Sequence, residues 1–339
     1  LKNLNREFII DKNDSKEEKE QKLSHNSKHL LLHNILSLAC LYRDHEFYLP
    51  MFCDFRGRLY THNSILSYQG NDLSRALLLF SNTEIINEKG KETLKVYFAN
   101  LAGFDKLPWN DRISKSTEVF EHYLDLFYNN KDKFYEALSL VSEPYQLISI
   151  FRAMEKVFVN KNYNINNPIL FDASCSGIQH LSAMTKEIDM AIQVNLIPTS
   201  DNPELDAPKD FYSYALDRVR LALKNHPKEA LNKITLNRKI IKKSVMTIPY
   251  NISLTGIGEH LMEHMIYFKE IETKKYIGVL VPKEAVVDEK ELLLNFSEFG
   301  HLTKTIYNVL TKEMPSLKLL GEYLDSLIDI LVEFNLPII

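Results

Sequence analysis

Charged and small polar residues fill positions 11–28, where Lys, Glu, Asp and Ser leave few apolar positions, so this stretch reads as a solvated helix or linker. From position 29 to 43 apolar residues recur at helical spacing, and positions 47–60 change to a compact run of aromatic, Pro and Gly residues that reads as strand and turn. Helical periodicity returns over 72–80, 88–101, 109–128, 131–140 and 144–159. Asn167-Pro168 breaks it. Ile169-Leu170-Phe171 then suits a short buried strand that delivers Asp172 at its end, with a helix over 176–186. Positions 192–197 read as another strand, 211–223 and 231–248 as helices, and 279–281 as one more strand. Positions 290–334 read as helical, with Pro315 separating two helices. The pattern predicts an α+β chain that is mainly helical, without internal repeats or low-complexity segments.

Composition adds little to this until charge is located. The 339 residues are 45% hydrophobic, as in a globular protein with a sizeable core, and the apolar stretch at 30–41 is too short for a membrane span. The three cysteines Cys40, Cys53 and Cys175 show neither paired spacing nor a zinc pattern. A net charge of −4 argues against a phosphate-binding surface only if charge is spread evenly. It is not. Arg238-Lys239-Ile240-Ile241-Lys242-Lys243 concentrates basic residues, while acidic ones gather at 17–20 and 288–291. The chain starts at Leu1 and stops at the apolar run Leu336-Pro337-Ile338-Ile339, so both ends are expected to be cut from a longer protein.

Three segments carry candidate chemistry. The first is Asp54-Phe55-Arg56-Gly57-Arg58-Leu59-Tyr60, followed by Gln69-Gly70-Asn71-Asp72. Two guanidinium forks around a glycine suit phosphate or sugar contacts, and equally a turn with two surface arginines. The second is Asp172-Ala173-Ser174-Cys175-Ser176-Gly177-Ile178-Gln179-His180. There the Asp172 carboxylate and the Ala173 carbonyl can bind a divalent metal, or Asp172 can simply cap a helix. The third runs from Arg238 to Asn251. On a helical wheel Ile240, Ile241, Ser244, Val245 and Ile248 share one arc, and Arg238, Lys239, Lys242, Lys243, Met246 and Tyr250 the other. Arg238 and Lys242, four residues apart, stack along the helix and can hold a triphosphate together, and the same wheel equally describes an ordinary amphipathic surface helix. Tyr250 offers an aromatic face to a base or sugar. Two weaker signals lead nowhere: Gly256-Ile257-Gly258 lacks the third glycine of a dinucleotide loop, and His260 with His264 lacks a third metal ligand.

The order and detail of these segments, with Ala102-Gly103-Phe104-Asp105-Lys106-Leu107-Pro108 between them, resemble the single-subunit DNA-directed RNA polymerases of phages and mitochondria. The likeness runs from about Phe47 to the C-terminus. It implies a right-hand fold: an N-terminal helical or linker segment (1–46), a helical region with the Arg-Gly-Arg segment (47–166), part of a palm with a small sheet carrying Asp172 (167–230), and fingers carrying the nucleotide-binding helix (231–339). By the same resemblance Asp172 and Ala173 bind two catalytic Mg²⁺ ions, Arg238 and Lys242 bind the nucleoside triphosphate, and Tyr250 selects ribose. Arg56 and Arg58 contact nucleic acid. The implied partners are a DNA template, the RNA product, nucleoside triphosphates and accessory factors, with no membrane, in a mitochondrion. A second metal-binding carboxylate belongs to a downstream His-Asp segment that this sequence lacks, so the chain alone is expected to be inactive. Asn251 stands where the family commonly has glycine, and Pro249 where a non-proline residue is usual; the Pro-Tyr-Asn ending and the Lys-, Asn- and Ile-rich composition resemble the branch carried by linear mitochondrial plasmids. The rival readings are a family-A-like DNA polymerase, which shares the Asp and the Arg/Lys/Tyr helix but not Cys-Ser-Gly-Ile-Gln-His, and a degenerate, non-catalytic nucleic-acid-binding relic.

Overall fold

The computed structural model describes residues 7–288 and 290–337, and the chain divides into two compact units that meet in sequence between Phe171 and Asp172. The expected apolar end at Ile338-Ile339 and residue 289 of the acidic run lie outside the described residues.

In the first unit the solvated stretch and the apolar stretch after it form one helix, α1 (Lys16–Tyr42). A capping box starts it: the Ser15 hydroxyl accepts from the Glu18 amide at 3.1 Å, and the Glu18 carboxylate accepts from the Ser15 amide at 2.8 Å. The strand-and-turn segment is a hairpin of β1 (Met51–Cys53) and β2 (Leu59–Thr61), with Phe52 opposite Tyr60. Next come α2 (Asp72–Leu77), β3 (Glu84–Ile85), α3 (Glu88–Ala99), α4 (Trp109–Asn129), α5 (Lys131–Leu138), α6 (Pro144–Met154) and β4 (Asn164–Ile165), where β4 pairs with β3. Helices α3 to α6 bury Phe98, Phe120, Tyr123, Phe134 and Phe151 against one another, with ring centroids 5.3 to 6.2 Å apart. Asp72 ties α2 to this bundle: its carboxylate accepts from the amides of Tyr145 and Gln146 at 2.8 and 3.0 Å, where the N-terminus of α6 leaves N–H groups unsatisfied.

The second unit comprises α7 (Ser176–Thr185), α8 (Ile188–Gln193), α9 (Phe211–Lys224), α10 (Glu229–Asn232), α11 (Arg238–Thr247), α12 (Leu254–Met262), β5 (Ile266–Lys269), β6 (Tyr276–Val281), β7 (Leu292–Leu294), α13 (Phe296–Lys312) and α14 (Pro315–Glu333). Its core joins Leu223, Ile241, Val245, Val279, Val281 and Ile306, each fully buried. The three strands form an antiparallel sheet in the order β5-β6-β7. At Gly278 a Cβ would stand 2.1 Å from the carbonyl oxygen of Leu294, so only glycine lets β7 close on β6.

The fold is α+β and mainly helical, as the pattern predicts, but four local expectations fail. No strand forms at Ile169-Leu170-Phe171. Ile169 and Leu170 pack against the aromatic core of the first unit as coil, and Phe171 is 83% exposed, so Asp172 does not sit at the end of a strand. The strand expected at 192–197 is the end of α8 and its cap: Asn195 adopts φ +60°, and the Leu196 amide reaches back to the Ala191 carbonyl at 2.8 Å, the pattern that closes a helix with Asn in the left-handed region. The helix expected over 231–248 is split into α10 and α11. Leu292–Leu294, expected to be helical, is β7, recruited by its pairing with β6. Among the described residues no helix is long and apolar enough to cross a membrane.

Candidate nucleotide and metal site

In the first unit, the Arg-Gly-Arg segment is the turn of the β1–β2 hairpin. Asp54 organises it, accepting from the amides of Arg56 and Arg58 at 2.9 Å each, while Gly57 takes φ +79°, a conformation that strains any residue with a Cβ. These bonds hold the Asp54 carboxyl below its ordinary range, the Arg58 amide first among them. The Arg56 guanidinium returns to Asp54 at 3.2 Å and lies over the ring of Phe55.

The second and third segments belong to the other unit, where they touch. Asp172 lies in exposed coil, its Oδ1 accepting from the Ala173 amide at 2.9 Å. The Ala173 carbonyl accepts from the Cys175 amide at 3.0 Å, and Cys175 enters α7 with φ +65°. A left-handed non-glycine residue costs on the order of 1 kcal/mol, so this turn is held by its surroundings. Gln179 explains its place within an apolar helix: its side-chain amide donates to the Val194 carbonyl at 2.8 Å, capping the end of α8. His180 is exposed.

Helix α11 starts on Asn237, whose side chain accepts from the Ile240 amide at 3.1 Å. Ile240, Ile241, Ser244, Val245 and Ile248 are buried, the arc that the wheel assigns to packing. Burial of each large apolar side chain contributes roughly 1.5–3 kcal/mol, which fixes the rotation of the helix and turns Lys239, Lys242 and Met246 outward. Pro249 ends α11 at Thr247 in favour of a short 3₁₀ turn, Ile248–Tyr250, and Asn251 follows with φ +55°. Asn supplies here the left-handed geometry that glycine would. The turn brings Tyr250 against α7: its hydroxyl stands 3.5 Å from where a Cβ would sit on Gly177, and Pro249 lies at 3.6 Å. The Tyr250 ring stays 64% exposed.

Sequence reasoning missed the residues that join the two segments. Tyr212, in the first turn of α9, packs with Cys175 against the core of the second unit, and burial first and the neighbouring thiol second push its hydroxyl above the ordinary tyrosine range. The Arg238 guanidinium lies over the Tyr212 ring at 5.1 Å and the Lys242 ammonium over it at 5.7 Å. Asp210, just before α9, holds Arg238 through Nε at 2.7 Å and Nη2 at 3.1 Å. Asp210-Phe211-Tyr212 reads in sequence as an ordinary helix start, with nothing to tie it to residues 26 or more positions later. Lys243 pairs with Glu263, which lowers the Glu263 carboxyl.

Asp172 and Ala173 supply one carboxylate and one carbonyl that already accepts a hydrogen bond, whereas a hard divalent cation takes about six oxygens. Among the described residues no group of three or more His, Cys, Asp or Glu could hold a metal, His260 and His264 included. Asp172 and Ala173 by themselves offer too few oxygens for the shell of a hard divalent cation. The basic face of α11 over an aromatic ring is, by contrast, suited to a polyanion.

The family model for DNA-dependent RNA polymerase matches residues 84–333, which include the Asp172 turn and the basic helix. A probable DNA-directed RNA polymerase of Agaricus bitorquis is 53% identical over 327 residues, 96% of this chain and 29% of that protein. Another from Neurospora crassa is 33% identical over 340 residues, 95% of this chain and 36% of that protein. The mitochondrial DNA-directed RNA polymerase of Homo sapiens is 28% identical over 236 residues, 65% of this chain and 18% of that protein. The chain spans about a third of the length of the first two relatives. With three quarters of its length inside the matched span, and with the carboxylate turn and the basic helix both within it, the chain belongs to the DNA-dependent RNA polymerase family.

Proposed function

We propose that this chain is the nucleotide-binding part of an RNA polymerase that adds ribonucleoside monophosphates from nucleoside triphosphates to an RNA 3′ end on a DNA template, in a mitochondrion. The contact of Tyr250 with Gly177 carries the reading, since it sets the Asp172 turn beside the end of the Arg238–Lys242 helix within one unit. Segment 167–230 is then a palm portion and 231–339 a fingers portion, preceded by 47–166 and the helical segment 1–46. In this reading Arg238 and Lys242 hold the triphosphate by charge-assisted bonds, and Tyr250 faces the sugar. Arg56 and Arg58 contact nucleic acid from the hairpin turn. Mg²⁺ would stabilise charge on the transferring phosphoryl group, with Asp172 and Ala173 as part of its ligand shell. The remaining carboxylate, and any accessory factor, come from outside these residues.

Two results are expected. Arg238→Ala and Lys242→Ala should each weaken binding of ATP to the chain by about tenfold to a hundredfold, the scale of one lost charge-assisted bond of roughly 1.5–3 kcal/mol. Calorimetric titration checks this, and unchanged affinity in both variants removes the phosphate role. The chain alone should not extend a primer on a preformed RNA–DNA hybrid with Mg²⁺ and four ribonucleotides. Template-dependent extension that Asp172→Asn abolishes would mean that the second carboxylate is already among these residues.

A further inference from the structure

The pairing of Asp210 with Arg238 has a directional geometry. A guanidinium presents two edges, each able to engage two oxygens of one anion: the side-on edge of Nε and one Nη, and the end-on edge of the two Nη atoms. Asp210 takes the side-on edge through Nε and Nη2. The carboxylate is itself set in place, because the Ser213 hydroxyl donates to the same Oδ2 at 2.7 Å. Its side chain is only 15% exposed, against 41% for Arg238. Below the guanidinium lies the Tyr212 ring, which also lies under Lys242, so both cations are gathered over one aromatic face.

We propose that Asp210 is a positioning residue: it clamps Arg238 side-on over Tyr212, so that the guanidinium and the Lys242 ammonium meet the same polyphosphate. This rests on the phosphate-binding reading of α11 and extends it to a residue outside that helix. The opposite effect is the natural rival. A carboxylate beside a polyanion site repels its ligand, and its removal would then tighten binding. Clamping outweighs repulsion because the carboxylate engages the side-on edge, while an anion at the end-on edge meets the guanidinium from the other direction. An unclamped arginine must instead lose the freedom of several side-chain torsions each time it binds.

The test is a double-mutant cycle on the chain, read by calorimetric titration with inorganic tripolyphosphate and, separately, ATP, with the thermal midpoint of every variant recorded. Asp210→Asn should weaken binding by about tenfold alone and by less than twofold in the Arg238→Ala background. Asp210→Glu, which keeps the carboxylate, should bind within about threefold of the unsubstituted chain. A variant merely damaged in folding would weaken binding equally in both backgrounds, so additive effects overturn the proposal, as does tighter binding in Asp210→Asn. If Arg238→Ala weakens binding and Asp210→Asn does not, only the role of Asp210 is lost. If Arg238→Ala binds like the unsubstituted chain, the phosphate-binding reading itself fails and takes this proposal with it.

Discussion

Asp172→Asn is expected to lower RNA synthesis by about 10³-fold in the RNA polymerase proposed above, while leaving the fold intact. The separation of the two effects follows from the setting of Asp172. Its side chain is exposed, and its intramolecular bond to the next amide is one that an Asn Oδ1 makes equally well. The stability change should therefore stay within about 0.5 kcal/mol, as for surface substitutions away from packed features. The reaction is another matter. A metal-binding carboxylate contributes several kcal/mol of charge stabilisation in the transition state, and each 1.4 kcal/mol is tenfold in rate. Primer extension by the two proteins at saturating nucleotide, beside their thermal unfolding curves, reads both quantities. More than a tenth of the original rate in the Asn protein would remove Asp172 from the chemistry.

Gly278→Ala is expected to be the most damaging of the small substitutions in the second unit. The added methyl would stand 2.1 Å from the Leu294 carbonyl oxygen, a backbone atom of the paired strand that no side-chain rotation can move aside. Relief requires parting β6 from β7 next to the pair Val279 and Leu294, both fully buried. Forced repacking of this kind costs about 1–3 kcal/mol, a large share of the roughly 5–15 kcal/mol that holds a domain folded. Denaturant unfolding should show the midpoint falling without a change in slope. Gly321→Ala is the control, because a Cβ there meets nothing within 4 Å and alanine favours the helix. Equal stability of the two variants would show that β7 is not closed on β6 as described.

The packing face of α11 was legible in the sequence because a 3.6-residue period is a local property: Ile240, Ile241, Ser244, Val245 and Ile248 needed no partner to be assigned to one arc. The helix end was legible too. Pro249 lacks an amide hydrogen and Asn251 tolerates a positive φ, and both facts belong to single residues. Strands were harder to read. Ile169-Leu170-Phe171 and Leu292–Leu294 are both short apolar runs, but only the second found a strand to pair with, and a ladder exists only where a partner does.

The amino-acid sequence by itself determined the family, the mainly helical α+β class, and which residues of α11 face outward, since the motif order and the helical period are written in consecutive positions. Tertiary structure alone decided that Asp172 lies in open coil, that Gln179 caps α8, and that Tyr250 rests on Gly177. It alone brought Asp210 and Tyr212 under Arg238 and Lys242. The physical reason is that an ion pair or a cation over a ring needs only a few ångströms of space and no particular separation along the chain. Residues 28 positions apart carry no local signal of their meeting until the buried faces of α9 and α11 dock and set them side by side.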